Sequence, residues 1–243
     1  MEKVIKINNL TKKYKDVVAV DNLNLEINEG ELFSLLGVNG AGKTTTIKML
    51  STLTKPTSGD AHIFDYSVIK DEDKIKEIID ISMQETAIAR KLTVDENIEF
   101  YAKLSGLTNE EVEESKERLY KTFELDKVRN KKAYKLSGGW QRKLSIALAL
   151  VSNPKILFLD EPTLGLDVIA RRELWQTIKE LKGKMTIILT THYMEEAENL
   201  SDRIGIMKDG KLLFVGTKEE LFAKTNKANV EGAFIEMVSG ANF

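Results

Sequence analysis

The sequence predicts an α/β fold in which a mainly parallel sheet is flanked by helices and interrupted by an inserted helical subdomain. Three observations carry this reading. The apolar run Leu32, Phe33, Leu35, Leu36 ends in a glycine-rich turn and is followed by Ile47, Met49 and Leu50 at helical spacing. Two more apolar runs, 156–159 and 185–189, flank an amphipathic stretch at 169–181, and buried strands that alternate with helices favour parallel pairing. From residue 93 the texture turns charged and helical, so the insert spans approximately 85 to 150.

In chain order, 4–7 and 23–27 alternate apolar with polar residues, as half-buried strands do. Between them Tyr14 stands as an aromatic on a polar loop, in Thr11-Lys12-Lys13-Tyr14. Pro56-Thr57-Ser58-Gly59 is turn chemistry, 61–64 reads as a short strand, and 71–79 as a helix or helix–strand junction. Thr93-Val94-Asp95-Glu96 is a capping box, with Ile98, Tyr101, Ala102 and Leu104 expected on one inward face. Thr108-Asn109-Glu110-Glu111 is a second, starting a helix that turns Val112, Leu119, Tyr120 and Phe123 inward, and Gly106 separates the two. Near the end, 203–207, Asp209-Gly210 and 212–215 predict a hairpin with a type I′ turn, and Thr217-Lys218-Glu219-Glu220 caps a last helix.

Composition narrows the function classes. The 243 residues are 42% hydrophobic and 30% charged, enough for a substantial core. Lys+Arg number 36 against Asp+Glu 38, so no overall field draws the chain onto nucleic acid or anionic lipid. With no cysteine, disulfides and thiolate metal sites are excluded, which fits a reducing cytosol. Met1-Glu2-Lys3-Val4-Ile5-Lys6 is charged at once, unlike a signal peptide. The longest apolar run, Ile146-Ala147-Leu148-Ala149-Leu150-Val151, falls far short of the roughly 20 residues a membrane helix needs. Any membrane-spanning part is expected on another chain.

The turn after the first core strand reads Gly37-Val38-Asn39-Gly40-Ala41-Gly42-Lys43-Thr44-Thr45-Thr46. Strand, glycine-rich turn and helix form the context of a phosphate-cradling loop. Glycines let successive backbone N–H groups converge on an anion, and the helix opening at Lys43 adds its positive dipole end. Lys43 is spaced to reach β- and γ-phosphates, and the Thr44 hydroxyl to ligate Mg²⁺.

Ile156-Leu157-Phe158-Leu159-Asp160-Glu161 is an apolar strand ending in two carboxylates. Beside the phosphate loop, Asp160 is placed to hold Mg²⁺ and Glu161 to orient or deprotonate an attacking water. Leu136-Ser137-Gly138-Gly139-Trp140-Gln141 precedes a strong helix and is either an ordinary N-cap or a second anion site. Thr190-Thr191-His192 ends a buried strand; its histidine is either packed or functional, whereas the other, His62, reads as structural.

Taken in order, these motifs resemble the ATP-binding subunit of ATP-binding cassette (ABC) transporters over essentially the whole sequence. The fold implied is that of a P-loop NTPase with an N-terminal antiparallel β subdomain. One ABC-type domain would fill 1–243, with a core at 1–84 and 151–243 and a helical signature subdomain at 85–150. Residues 37–44 resemble the Walker A motif, with Thr45 beside them. Gln84, in Ser82-Met83-Gln84-Glu85, resembles the Q-loop glutamine that also contacts Mg²⁺. Leu136-Ser137-Gly138-Gly139 is similar to the family signature, the strand ending in Asp160 and Glu161 to Walker B, and Gly165-Leu166-Asp167 to the D-loop. His192 falls at the switch histidine, and Tyr14 at the aromatic that stacks on adenine. Trp140 stands where the signature usually has glutamine, Val38 and Val168 where relatives often have proline. Altered packing at Trp140 is expected, without loss of binding.

The resemblance implies ATP and Mg²⁺ as ligands and a head-to-tail dimer, with itself or a paralogue. ATP on Lys43 and Thr44 of one copy is then closed over by Ser137, Gly138 and Gly139 of the other. It also implies a separately encoded membrane permease meeting the surface near 93–104, and a place on the cytoplasmic face of the membrane. Pro162-Thr163-Leu164-Gly165-Leu166-Asp167, the stretch after His192 and the segment 229–237 resemble an exporter branch that carries drugs, antibiotics or lipid-like compounds. The alternative is a soluble ABC-type ATPase acting on nucleic acid or the ribosome, favoured locally by Lys127, Arg129, Lys131, Lys132 and Lys135. One cassette without a heptad run argues against it, and no nucleic-acid partner is expected. A GTPase would need Asn-Lys-x-Asp, and Asn226-Lys227-Ala228-Asn229 lacks the aspartate.

Overall fold

Ten strands and nine α-helices are built from residues 2–240, which the computed structural model describes; Met1 of the charged opening segment lies outside them. The central sheet has six strands in the order β10 (Lys211–Gly216), β9 (Arg203–Lys208), β3 (Leu32–Leu36), β8 (Thr186–Thr191), β7 (Ile156–Asp160) and β6 (Ile79–Ser82). All neighbours run parallel except the β9–β10 hairpin, as the alternation of strands and helices predicts. Its turn has φ 48° at Asp209 and 78° at Gly210, the two positive values that type I′ requires. In register, Leu36 pairs with Thr191 and Asp160 with Thr190. The loops after β3, β7 and β8 therefore leave one carboxyl edge of the sheet, where ligands bind in open α/β sheets.

Side chains alternate across this sheet. Leu32, Leu157, Leu159, Ile187 and Leu189 share a buried cluster with α5 (Gly138–Ala149), α6 (Val168–Leu181) and the helical insert. Phe33, Leu35, Ile156, Phe158 and Ile188 face the other way, onto α1 (Lys43–Leu50) and the second sheet. That second sheet is antiparallel, in the order β2 (Val17–Asn28), β1 (Lys3–Tyr14), β4 (Ser58–Ile63) and β5 (Tyr66–Ser67).

The insert holds α3 (Val94–Leu104), α4 (Asn109–Phe123) and α5. Both predicted capping boxes form. Thr93 Oγ1 accepts from the Glu96 N–H and the Glu96 carboxylate accepts from the Thr93 N–H, a reciprocal pair repeated at Thr108 and Glu111. Each cap stabilises its helix by about 1 kcal/mol. Val94, Ile98, Leu119 and Phe123 join the same buried cluster as Leu157, so the insert packs directly onto the sheet's flank.

Three local expectations are corrected. Tyr14 is the last residue of β1 rather than part of a loop, because β1 and β2 pair out to Tyr14 and Val17. Leu104 points outward, 71% exposed: it lies one turn after the exposed Phe100, off the face that carries Val94, Ile98 and Ala102. The helix capped by Thr217, α8 (Lys218–Thr225), is followed by α9 (Val230–Ser239), whose Val230, Ala233 and Phe234 pack onto α7 (Met194–Leu200) and the sheet's β9–β10 end. Among the described residues no helix is long and apolar enough to cross a membrane.

Candidate active site

The loop after β3 curls back over the edge of the sheet. Gly42 has φ 104°, and a Cβ there would lie 2.5 Å from the Ala19 carbonyl, so only glycine fits. The β9–β10 turn props the loop from behind, through Gly210 N–H to the Ala41 carbonyl. Helix α1 starts at Lys43 with no acidic residue in its own first turn, so its positive end is free to face an anion from elsewhere. The Lys43 ammonium donates to the Gly37 carbonyl (2.8 Å) and the Val38 carbonyl (3.2 Å), and lies 3.2 Å from Glu161 Oε1.

Asp160 and Glu161 diverge at the end of β7. Asp160 Oδ1 accepts from the hydroxyls of Thr44 (3.0 Å) and Thr190 (2.5 Å). Its Oδ2 is buried without a hydrogen-bond partner. Glu161 sits at φ 49°, uncommon for a residue other than glycine. Its N–H bonds to both Thr190 Oγ1 and the Thr190 carbonyl at 3.1 Å, which holds this conformation. Its side chain spans between Lys43 and His192, whose Nδ1 lies 2.5 Å from Oε2. A carboxylate oxygen accepts, so the tautomer that satisfies this contact carries its proton on Nδ1.

These groups open on one cavity of about 510 Å³. Of the residues singled out in the sequence, Tyr14, Asn39, Gly40, Ala41, Gly42, Lys43, Thr44, Thr45, Gln84, Glu161 and His192 all line it. Gly37 and Val38 contribute carbonyls to Lys43, and Asp160 lies behind Thr44. Tyr14 is 46% exposed at the rim of this cavity, with the Lys12 ammonium over its ring, 4.9 Å from the centroid. Two lining residues, Ala19 and Leu164, carry no sequence signal: one small and one apolar residue have no chemistry to flag them.

The signature residues stand elsewhere. Ser137, Gly139 and Asp167 line a second cavity of about 260 Å³ together with Trp140. Ser137 is the N-cap of α5, yet its hydroxyl makes no cap bond. Asp167 caps α6, accepting from the Ile169 and Ala170 N–H groups, each at 2.9 Å. Gly139 allows the two helices to approach: a Cβ there would meet Ala170 Cβ at 2.9 Å. Trp140 packs its ring against the core beneath the Lys143 ammonium, 4.9 Å away.

Two further buried groups connect these segments. Arg142 reaches from α5 to the Gln84 and Asp160 segments. Glu196 on α7 accepts from the Thr163 hydroxyl and the Trp175 indole. Burial raises the Glu196 carboxyl above its ordinary range, against hydrogen bonds from Thr191, Trp175 and Thr163. Neither stands out in the sequence, because the partners of each lie on segments remote along the chain.

Comparison with known proteins agrees with this arrangement. The family model described as ABC transporter matches residues 20–164, more than half of the chain. ABC transporter A family member 9 of Dictyostelium discoideum is 42% identical over 96% of this chain and 28% of its own length. Human phospholipid-transporting ATPase ABCA3 is 43% identical over 90% of this chain and 13% of its own length. The chain thus spans under a third of either relative. A dimeric, post-hydrolysis structure of an ATP-binding cassette with ADP and Pi superposes with a TM-score of 0.78 at 31% identity, covering 88% of this chain and 98% of that one. The glycine loop, the paired carboxylates and these matches lead to one conclusion: the chain belongs to the ABC transporter family.

Proposed function

We propose that this chain is the ATP-binding and ATP-hydrolysing cassette of a transporter that moves a lipid-like substrate outward. One observation carries the reading. Lys43, Thr44, Gln84, Glu161 and His192, from four separate segments, line a single cavity at the carboxyl edge of the sheet. In this reading Tyr14 stacks on adenine, while residues 37–45 cradle the phosphates. Lys43 exchanges part of its contact with Glu161 for the β- and γ-phosphates. Glu161, held by Thr190 and His192, orients the attacking water and accepts its proton, and His192 steadies charge on the γ-phosphate. Positioning and electrostatics then supply the rate enhancement.

The residues present fit Mg²⁺. Asp160 Oδ2 is a buried acceptor without a donor, the Thr44 hydroxyl lies against the other oxygen, and Gln84 lines the same cavity. Among the described residues no group of three or more His, Asp or Glu side chains is placed to hold a metal alone. An oxygen set completed by phosphate and water suits Mg²⁺. Bound there, it would offset negative charge on the phosphates.

We further propose a head-to-tail pair of cassettes, in which Ser137, Gly138, Gly139 and Asp167 of one copy complete the nucleotide site of the other. The free Ser137 hydroxyl supports this, since a capping serine ordinarily spends it. A separately encoded permease is the proposed membrane partner, which places the cassette at the cytoplasmic face. The outward Phe100 and Leu104 on α3 offer it an apolar contact. Of the drug-like, antibiotic and lipid-like cargoes expected, the lipid class is favoured because a relative is named a phospholipid-transporting ATPase. The basic residues before the signature are partly neutralised, Lys127 by Glu124 and Arg129 by Asp95, which weakens their case as a nucleic-acid surface.

The test is Mg²⁺-dependent release of phosphate from ATP, repeated with permease-containing vesicles and with RNA or DNA. Stimulation by phospholipid in the vesicles supports the proposal. Stimulation only by nucleic acid, or only by drug-like cargo, overturns the transport or the lipid assignment respectively.

A further inference from the structure

Arg142 lies in the second turn of α5 and is only 4% exposed. Its Nε donates to the Pro162 carbonyl at 2.7 Å. One terminal nitrogen donates to the Asp160 carbonyl at 3.0 Å, the other to the carbonyls of Met83 (2.5 Å) and Gln84 (3.3 Å). Among the described residues no carboxylate lies within ion-pair distance of it. Burial pulls the guanidinium down to about 10, with the Asp160 and Glu196 carboxylates opposing, so it remains a cation at neutral pH. Burying a guanidinium is costly, and an apolar residue of similar volume would fill the same space at less cost. The fork therefore does something that packing alone does not.

What it does follows from its acceptors. All four are backbone carbonyls, so the contacts fix main-chain positions whatever side chains stand there. They belong to two segments distant in sequence: the exit of β6 at Met83 and Gln84, and the turn at Asp160 and Pro162 that flanks Glu161. The donor sits on the helix that begins at Ser137, Gly138 and Gly139. The geometry points to Arg142 as a positioning residue that locks Gln84 and the Glu161 turn to the signature helix. The inference rests on the ATPase reading above. In the paired arrangement α5 meets the neighbour's nucleotide while Gln84 and Glu161 meet the chain's own, so this lock ties the alignment of one site to the seating of the other. Lysine cannot replace it, because one ammonium cannot reproduce a planar fork that serves acceptors on two segments.

The full chain is compared as Arg142→Lys, Arg142→Gln and, as a control, Ser145→Ala. Ser145 lies one turn further along α5, 3.4 Å from the Ser82 hydroxyl at the same interface. Read-outs are the ATP dissociation constant by calorimetry, kcat and KM for hydrolysis, and amide hydrogen exchange at 82–86 and 160–164. Arg142→Lys is expected to lower kcat at least about tenfold, as small misplacements of catalytic groups do. Its ATP affinity and KM should stay within about twofold, the pattern of lost transition-state alignment. Exchange in both segments should rise, and Ser145→Ala should keep the wild-type kcat. Wild-type kcat in Arg142→Lys overturns the inference. So does an equal loss in Ser145→Ala, or a fall in ATP affinity parallel to kcat, since both signal general disruption. Where neither Arg142 variant folds, exchange in the wild-type chain decides: 82–86, 160–164 and 138–149 should change protection together on adding ATP, and independent changes overturn the lock. Absence of turnover in the wild-type chain overturns the ATPase reading instead, while the exchange result still judges the lock.

Discussion

Lys43 and Glu161, 118 positions apart in the sequence, form an ion pair of 3.2 Å in which both side chains are almost fully buried. The lysine of the phosphate loop is thus shared between a carboxylate and the loop's own carbonyls, and an incoming phosphate must compete for it. The carboxylate is shared as well, since its other oxygen meets His192. One hydrogen-bonded chain runs from the phosphate loop through Glu161 to the end of β8.

From this pair, Glu161→Gln is expected to hydrolyse ATP at least about 10²-fold more slowly, in line with losses of single preorganised groups. ATP affinity should be equal or higher, because the anion competing for Lys43 is gone. Steady-state turnover and calorimetry on the same preparation check both halves. Near-normal turnover would remove Glu161 from the mechanism.

Lys43→Ala acts in the opposite sense. Loss of a charge-assisted hydrogen bond to phosphate is worth about 1.5–3 kcal/mol, so nucleotide affinity should fall by roughly 10–100-fold. Unchanged ATP binding in calorimetry would count against the loop as the phosphate site.

Adjacent glycines of the signature should behave differently. A Cβ at Gly139 meets Ala170 Cβ at 2.9 Å, whereas at Gly138 nothing lies within 4 Å. Gly139→Ala should destabilise the fold by about 1–3 kcal/mol, the usual cost of overpacking, and Ala170→Gly should restore much of it. Gly138→Ala should unfold like the wild type. Thermal unfolding of the three variants distinguishes helix–helix packing from any role toward a neighbour.

The expectation for pH concerns Asp80 on β6. Burial raises its carboxyl to about 6, against a lowering hydrogen bond from the Ile81 N–H. An acid whose folded pKa is raised stabilises the fold relative to the ionised state below its unfolded value near 3.8, and that contribution is lost as pH climbs through 6. Asp80→Asn should therefore stabilise the chain at pH 7 by on the order of 1–2 kcal/mol, or about 2–6 °C in Tm. The gain should shrink as pH falls toward 4. A pH-independent effect would contradict the burial argument.

Much of this site was legible because its chemistry is written in contiguous motifs. The loop at 37–45 and the strand ending in Asp160 and Glu161 announce themselves through residue type and spacing, and they converge as expected. The parallel order follows from alternating buried strands and helices. What was not legible depends on distance. Thr190, which holds both Asp160 and the Glu161 backbone, looks like any threonine at the end of a strand. Arg142 acts through main-chain carbonyls on two remote segments, and no side-chain motif records them. Leu104 is apolar yet stands four residues after the exposed Phe100, so the helical period puts it on the outward side and not with Val94 and Ile98.

In the proposed pair the nucleotide site of one copy is completed by the signature of another. Glu161→Gln, which should bind ATP without consuming it, tests this most directly by size-exclusion chromatography with and without saturating ATP and Mg²⁺. The expected result is a monomer without nucleotide and a dimer with ATP, and return to monomer when Gly138→Ala is added. A chain that stays monomeric at saturating ATP, or dimerises equally without it, would rule out a site shared between two copies.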